Sequence, residues 1–385
     1  MADVAYFDNA ATTFPKPECV YDFADSFYRN RGGNIGRGGN ALAVAAGGVS
    51  NEAKDNLRKM YGCPASEVVF TASATDALNR ILLGLGLEAG DAVYLTPFEH
   101  NAVTRPLNHL ADAAGVTLHV MPFDCKKLLP KWGELEAEFQ ADAPKLVVMT
   151  HASNVCGAVV PVERIARMAK AYGATVVLDM SQTAGLLPLD LASDLYDYAV
   201  FAGHKTLYGA FGVGGFICKR GASLSPVFFG GNGINSIEQR MPDNIVQMEE
   251  IGSQNTYAIA ALKAATCWIL EQGMEQVRKA EADNARRLLG LLGGKGFVTV
   301  VGDAMECERI GVVSALFDSY SPDEGEMVLG RCGIAVRSGI QCAPYAHRFL
   351  GTLPAGTIRF SVSALTSDDD FAALEVALEQ IEETL

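Results

Sequence analysis

Residues 176–205 read V-V-L-D-M-S-Q-T-A-G-L-L-P-L-D-L-A-S-D-L-Y-D-Y-A-V-F-A-G-H-K, and the fold turns on this stretch. Two short apolar runs, 176–178 and 198–201, have the length and the β-branched or aromatic content of buried strands, and each stops abruptly at polar residues. In an open α/β sheet, ligands sit outside the carboxyl ends of the strands. Asp179, Gln182, His204 and Lys205 are therefore expected to converge on one crevice. An acid at one strand end and a lysine at another is the pairing that pyridoxal phosphate needs. The lysine forms a Schiff base, and the carboxylate keeps the pyridine nitrogen protonated so that the ring can take up electrons. Taken singly, Asp179 also reads as a helix-capping acid and Lys205 as a solvated lysine.

Working outward, K-L-V-V-M-T at 145–150 is a further buried strand, and 162–172 is the crossover helix that leads to Asp179. This alternation predicts a parallel sheet with right-handed crossovers. Residues 68–85 give a strand, a small-residue turn and a helix with Leu78, Ile81, Leu82 and Leu85 on one face. The start of that helix puts Ala74 and Thr75 where free N–H groups and a positive dipole end can hold a phosphate. A further helix is expected from about Gly47 to Met60. Residues 1–15 read as an extended arm, and the glycine-rich 30–40 as a loop near a ligand. Downstream, 256–272 reads as a connecting helix, followed by strands at 298–301, 311–317 and 357–362. Ser367, with Asp370 three residues on, opens a last helix. The expectation is an α/β protein with an arm (1–15), a large domain with a mainly parallel central sheet (16–255) and a smaller α/β C-terminal domain (256–385).

The 385 residues are about half apolar, enough for a large core, and the net charge of -14 argues against a nucleic-acid partner. No apolar run approaches the ~18 residues of a membrane span, and no signal-peptide pattern opens the chain, so a soluble, cytoplasmic protein is expected. Nine cysteines, an odd count without a C-x-x-C pair, speak against a disulfide framework or zinc site, and most are expected to be small buried hydrophobes.

Several separated motifs resemble, in order, the class V aminotransferase branch of fold-type I pyridoxal phosphate enzymes, and within it the cysteine desulfurase and selenocysteine lyase group. They are Y-F-D-N-A-A-T-T from 6, E-H-N-A from 99, D-M-S-Q from 179, A-G-H-K-T-L-Y-G from 202, I-G-S-Q-N-T from 251 and R-S-G-I-Q-C-A from 337. The resemblance implies that Lys205 carries the cofactor, that Asp179 faces its ring nitrogen, that His100 stacks on its face and that Asn154 bonds its phenolic oxygen. Ala74, Thr75, Gln182 and His204 complete the cofactor pocket. Ala74 and Ala202 stand where relatives carry hydroxyls, and Ser253 matches a residue that reaches the phosphate of a neighbouring subunit, which implies a homodimer. Asn9, Ala10, Arg37 and Arg359 would meet the substrate, with Arg359 clamping its carboxylate; Gly36 replaces a histidine usual beside Arg37. Cys342 would be the nucleophile that takes sulfur from L-cysteine as a persulfide, leaving L-alanine. Ile340 and Gln341 replace paired histidines before it. The short spacing from Arg337 to Cys342 resembles members that commonly pass sulfur to an acceptor protein. L-selenocysteine lyase activity, a class V transamination, elimination or epimerisation without persulfide, and a non-catalytic cofactor-binding protein remain the alternatives.

Overall fold

The computed structural model describes residues 4–35, 38–233 and 236–384. The strands are β1 (Ala5–Tyr6), β2 (Glu67–Thr71), β3 (Ala92–Leu95), β4 (Thr117–Val120), β5 (Pro144–Thr150), β6 (Thr175–Asp179), β7 (Tyr198–Ala202), β8 (Gly214–Cys218), β9 (Val298–Val300), β10 (Val312–Phe317), β11 (Ile334–Ala335) and β12 (Ile358–Ser361). Seven form the central sheet in the order β2-β8-β7-β6-β5-β3-β4. The pairings from β4 through β7 are parallel, whereas β8 runs antiparallel to both β7 and β2. The reversal has a simple cause. Only residues 203–213 join β7 to β8, and a parallel return needs a crossover of a dozen or more residues. The other six strands all point their carboxyl ends toward one edge.

The apolar runs are buried on both faces because alternate side chains feed two cores. On β5 and β6, Val147, Met149, Val176 and Leu178 join one buried cluster, while Leu146, Val148 and Val177 join the other. The helix Ala41–Met60 begins six residues before the apolar period does, because Asn40 caps it: its Oδ1 accepts the N–H groups of Leu42 and Ala43 at 3.1 and 3.0 Å. The helix Thr256–Gln272 has the predicted bounds, and Ser367 and Asp370 form the expected capping box.

A second, antiparallel sheet, β12-β10-β9, packs with the helices Met274–Gly293 and Asp368–Glu382 around a separate core that includes Phe317, Phe360, Phe371 and Leu374. The N-terminal arm is docked between the two sheets. β1 pairs in parallel with β11, Phe7 is fully buried, and Ala10 donates its N–H to Ser361 Oγ at 2.8 Å. Three residues later Thr13 Oγ1 donates to the Lys205 carbonyl at 2.9 Å. The cysteine expectation needs correction: only Cys63, Cys156 and Cys218 are buried, while Cys19, Cys125 and Cys342 are exposed. Cys19, for example, lies off the face by which its helix buries Val20, Ala24 and Phe27. Among the described residues no helix is long and apolar enough to cross a membrane.

Candidate active site

A cleft of about 200 Å³ opens outside the carboxyl ends of β5, β6 and β7, and its lining includes Ala74, Thr75, His100, Asn154, Asp179, Gln182, His204 and Lys205. Asp179 is the last residue of β6 and is buried. Its Oδ1 accepts the backbone N–H and the hydroxyl of Ser181, at 2.9 and 2.5 Å, which fix the carboxylate's direction. Lys205 follows β7 by three residues. Burial lowers its amine to about 8, against the opposing pull of the Asp179 charge. An amine so placed can shed a proton near neutral pH.

His100 caps the helix Asn101–Ala114, its Nδ1 accepting the Ala102 N–H at 3.0 Å, so the ring cannot turn freely. Burial, reinforced by the Lys205 charge, lowers it to about 4. It is therefore a neutral flat ring with Nε2 protonated, suited to lie against another aromatic face. His204 stacks on Phe211, with ring centroids 4.5 Å apart, and burial lowers it too to about 4. Its Nδ1 is buried without a protein partner, so the cleft asks for a polar ligand atom there. At the start of the helix Ala74–Gly84, Ser73 Oγ takes the Asp76 N–H at 3.1 Å, leaving the first turn's Ala74 and Thr75 facing the cleft. Asp76 would repel a phosphate, but it pairs with Arg80 at 2.6 Å and lines a different hollow. The donors at the helix start, the orphaned imidazole nitrogen, the neutral ring, the buried carboxylate and the depressed lysine form a set that fits a phosphorylated aromatic aldehyde.

The residues expected on the substrate side come from the arm and the C-terminal sheet. Ala10 accepts Gln182 Nε2 at 2.9 Å through its carbonyl and so touches the cleft lining, whereas Asn9 Nδ2 donates to the Ser361 carbonyl at 2.9 Å and anchors the docked arm. Arg359, on β12, is 3% exposed and pairs with Asp8 at 2.7 Å, while its Nη1 donates to the Asn154 carbonyl at 3.0 Å. Its Nε is buried and unpartnered. Arg337 grips the same Asp8 at 3.0 and 2.8 Å. Arg37 and Gly36 lie outside the described residues. Ser253 is not in the cleft; it lines a separate hollow of about 620 Å³ with Arg80 and Phe228.

Cys342 is exposed and sits on a turn in which it and the buried Gln341 both take left-handed φ angles, 56° and 43°. The turn is fastened to the cleft: the Cys342 carbonyl accepts the Asn101 N–H at 2.7 Å, and the Gln341 carbonyl accepts Asn154 Nδ2 at 2.8 Å. Cys342 lies within electrostatic reach of Lys205. Sequence reasoning passed over Asp8 and Glu99. Asp8 stands inside the quoted D-N-A-A-T-T, where an acid in an irregular arm gives no sign of two arginines more than three hundred residues away. Glu99, beside His100, is fully buried and burial raises it to about 8; its Oε1 accepts Thr96 Oγ1 at 2.6 Å and the Thr150 N–H at 2.7 Å.

The family model described as Aminotransferase class-V matches residues 5–374. A protein of Aeropyrum pernix named "Probable cysteine desulfurase" is 32% identical over 98% of this chain and 94% of its own length. One with the same name from Halalkalibacterium halodurans is 29% identical over 99% of this chain and 93% of its own. The solved apo structure of a cysteine desulfurase from Thermococcus onnurineus NA1 superposes with a TM-score of 0.90 and 26% identity, covering 99% of this chain and 95% of that one. With the family match extending over nearly every element that builds the cleft, the chain belongs to the class V aminotransferase family.

Proposed function

We propose that the protein is a pyridoxal phosphate-dependent cysteine desulfurase, releasing L-alanine from L-cysteine and keeping the sulfur as a persulfide on Cys342. The observation that carries this reading is the Cys342 turn, hydrogen-bonded to Asn101 and Asn154 at the rim of the cleft that holds Lys205 and Asp179. A transaminase or epimerase has no use for an exposed thiol tied to that rim. In the proposed site Lys205 would carry the cofactor, Asp179 would serve its ring nitrogen, His100 would pack on the ring, and Ala74, Thr75 and His204 would hold the phosphate. Pyridoxal phosphate, when bound, supplies a ring that withdraws electrons from the substrate's α-carbon. Once the substrate amine has freed it, Lys205 Nζ, lowered to about 8 by burial, would accept the α-proton there and could return one to the product. The unpartnered Nε of Arg359, held by Asp8 and the Asn154 carbonyl, is offered to the substrate carboxylate. Cys342 Sγ presents a thiolate to the substrate sulfur, and its exposure suits a hand-off to an acceptor protein. We further propose a cytoplasmic homodimer, with Ser253 of each chain completing the other chain's phosphate site.

Cys342→Ala tests the assignment. The variant is expected to bind cofactor and to show the wild-type change of cofactor absorbance on adding cysteine, because Lys205, Asp179 and Arg359 are untouched. Its release of sulfide and alanine is expected to collapse. The wild type should carry added sulfur, removable by a reductant, on the Cys342 peptide after cysteine treatment. Selenocysteine is the second substrate arm: turnover there with none on cysteine would favour a selenocysteine lyase. A variant as fast as the wild type, with no persulfide formed, would return the protein to the general class V chemistries.

A further inference from the structure

Behind the Cys342 turn runs a chain of buried polar groups to which the proposed chemistry gives no task. His347, fully buried in the short helix Pro344–Phe349, meets Thr352 Oγ1 through Nδ1 at 2.7 Å and Gln341 Oε1 through Nε2 at 2.8 Å. Gln341 Nε2 donates to the Thr357 carbonyl at 3.1 Å, and Thr357 Oγ1 donates to Ser314 Oγ at 2.9 Å. The Ser314 hydroxyl passes on to the Val155 carbonyl at 2.7 Å, next to Asn154.

The proton positions follow from the partners. Gln341 Nε2 faces a carbonyl, so its Oε1 must be the end turned to His347, and Nε2 of that imidazole carries the hydrogen. Nδ1 then accepts from Thr352. Burial, the largest influence on His347, keeps the ring neutral, so both ring nitrogens are satisfied without a charge. What this assembly restrains is costly on its own. Gln341 and Cys342 are consecutive non-glycine residues with positive φ, each costing on the order of 1 kcal/mol or more. Two main-chain bonds to the cleft, from Asn154 and Asn101, hold one side of the turn. The Gln341 side chain and His347 hold the other.

We infer that Gln341 and His347 act as one neutral brace that positions the Cys342 turn against the cleft, a reading that rests on the desulfurase assignment for its catalytic consequence. Neither touches the reacting atoms. Losing either partner leaves a buried donor or acceptor unpaired and frees the turn to relax toward ordinary backbone angles.

The test uses full-length, cofactor-loaded protein with Gln341→Ala, His347→Ala and the double substitution. Each single change is expected to lower kcat for sulfide release by about a hundredfold, as a misplaced reacting group does. KM for cysteine should stay within about threefold, because the substrate-binding groups remain. The double variant should be no worse than the more damaged single one, since the two act as a unit. A second readout does not depend on turnover: hydrogen exchange at the Asn101 amide, which the Cys342 carbonyl protects, should quicken by about tenfold or more in every variant. If His347→Ala loses the cofactor, Gln341→Asn, one methylene shorter, supplies the same two readouts. Unchanged Asn101 exchange, or additive losses of kcat, would overturn the brace. A wild type that releases no sulfur from cysteine would instead sink the desulfurase reading, with the exchange result still deciding whether the pair holds the turn.

Discussion

Lys205 shows how burial converts a common residue into a reagent. Its amine titrates near 10.5 in the unfolded chain and at about 8 in the cleft, with burial as the cause. Between those values the unfolded chain binds more protons than the folded one, so stability rises with pH across that window. The penalty is present in full below about 8 and fades as pH climbs toward 10.5. Cofactor-free Lys205→Met is accordingly expected to melt above the wild type at pH 7, with the gap narrowing by pH 10. A gap that does not change with pH would mean that the amine is not desolvated. The lysine and its opposing acid were legible in the sequence because both stand just past abrupt ends of apolar runs. Asp8 was not. Its meaning appears only when the arm docks beside β12, where it holds Arg359 and Arg337 together, and no local pattern announces a pairing over 351 residues.

At the scale of elements, the parallel strands and the long helices were legible because period and composition agree, and alternate residues of β5 and β6 feed the two cores as their apolar runs imply. The reversed β8 was not, because a run of G-G-F-I-C carries no direction; the eleven residues before it settle that. Its first residue bears on the proposed phosphate site. A Cβ on Gly214 would meet the Ala74 backbone nitrogen and the Ser73 carbonyl carbon, each at 2.6 Å, and the Phe201 carbonyl oxygen at 3.0 Å. None of these is a flexible side-chain end, so the helix start itself would have to move. Gly214→Ala is expected to weaken pyridoxal phosphate binding by about tenfold, the scale of 1.4 kcal/mol, in an absorbance titration. Gly290→Ala, in the helix Met274–Gly293 with nothing near its Cβ, is the matched control and should leave binding alone. Equal affinities for the two variants would show that the helix start does not hold the phosphate.

The whole molecule brings together groups from both ends of the chain: the arm at 5–13, the strand ends of the central sheet, and the 337–359 segment all meet at one rim. Ser253 alone among the described candidates stays away, in its own hollow beside Arg80 and the exposed Phe228. Phe228, which lines that hollow, and its neighbour Phe229 are 58% and 69% exposed, apolar surface that a second copy of the chain would cover in the proposed homodimer. If each site takes Lys205 from one chain and Ser253 from the other, mixing two damaged chains has a distinctive outcome. In a heterodimer of Lys205→Ala and Ser253→Ala, one site receives both lesions and the other receives neither. Subunit exchange between the two inactive parents should therefore create one intact site per heterodimer, read as restored sulfide release and as one tightly bound cofactor per dimer. If Lys205 and Ser253 instead serve a site within one chain, every site in the mixture keeps a lesion. Activity then stays at the sum of the parents, and the partner-completed phosphate site is wrong.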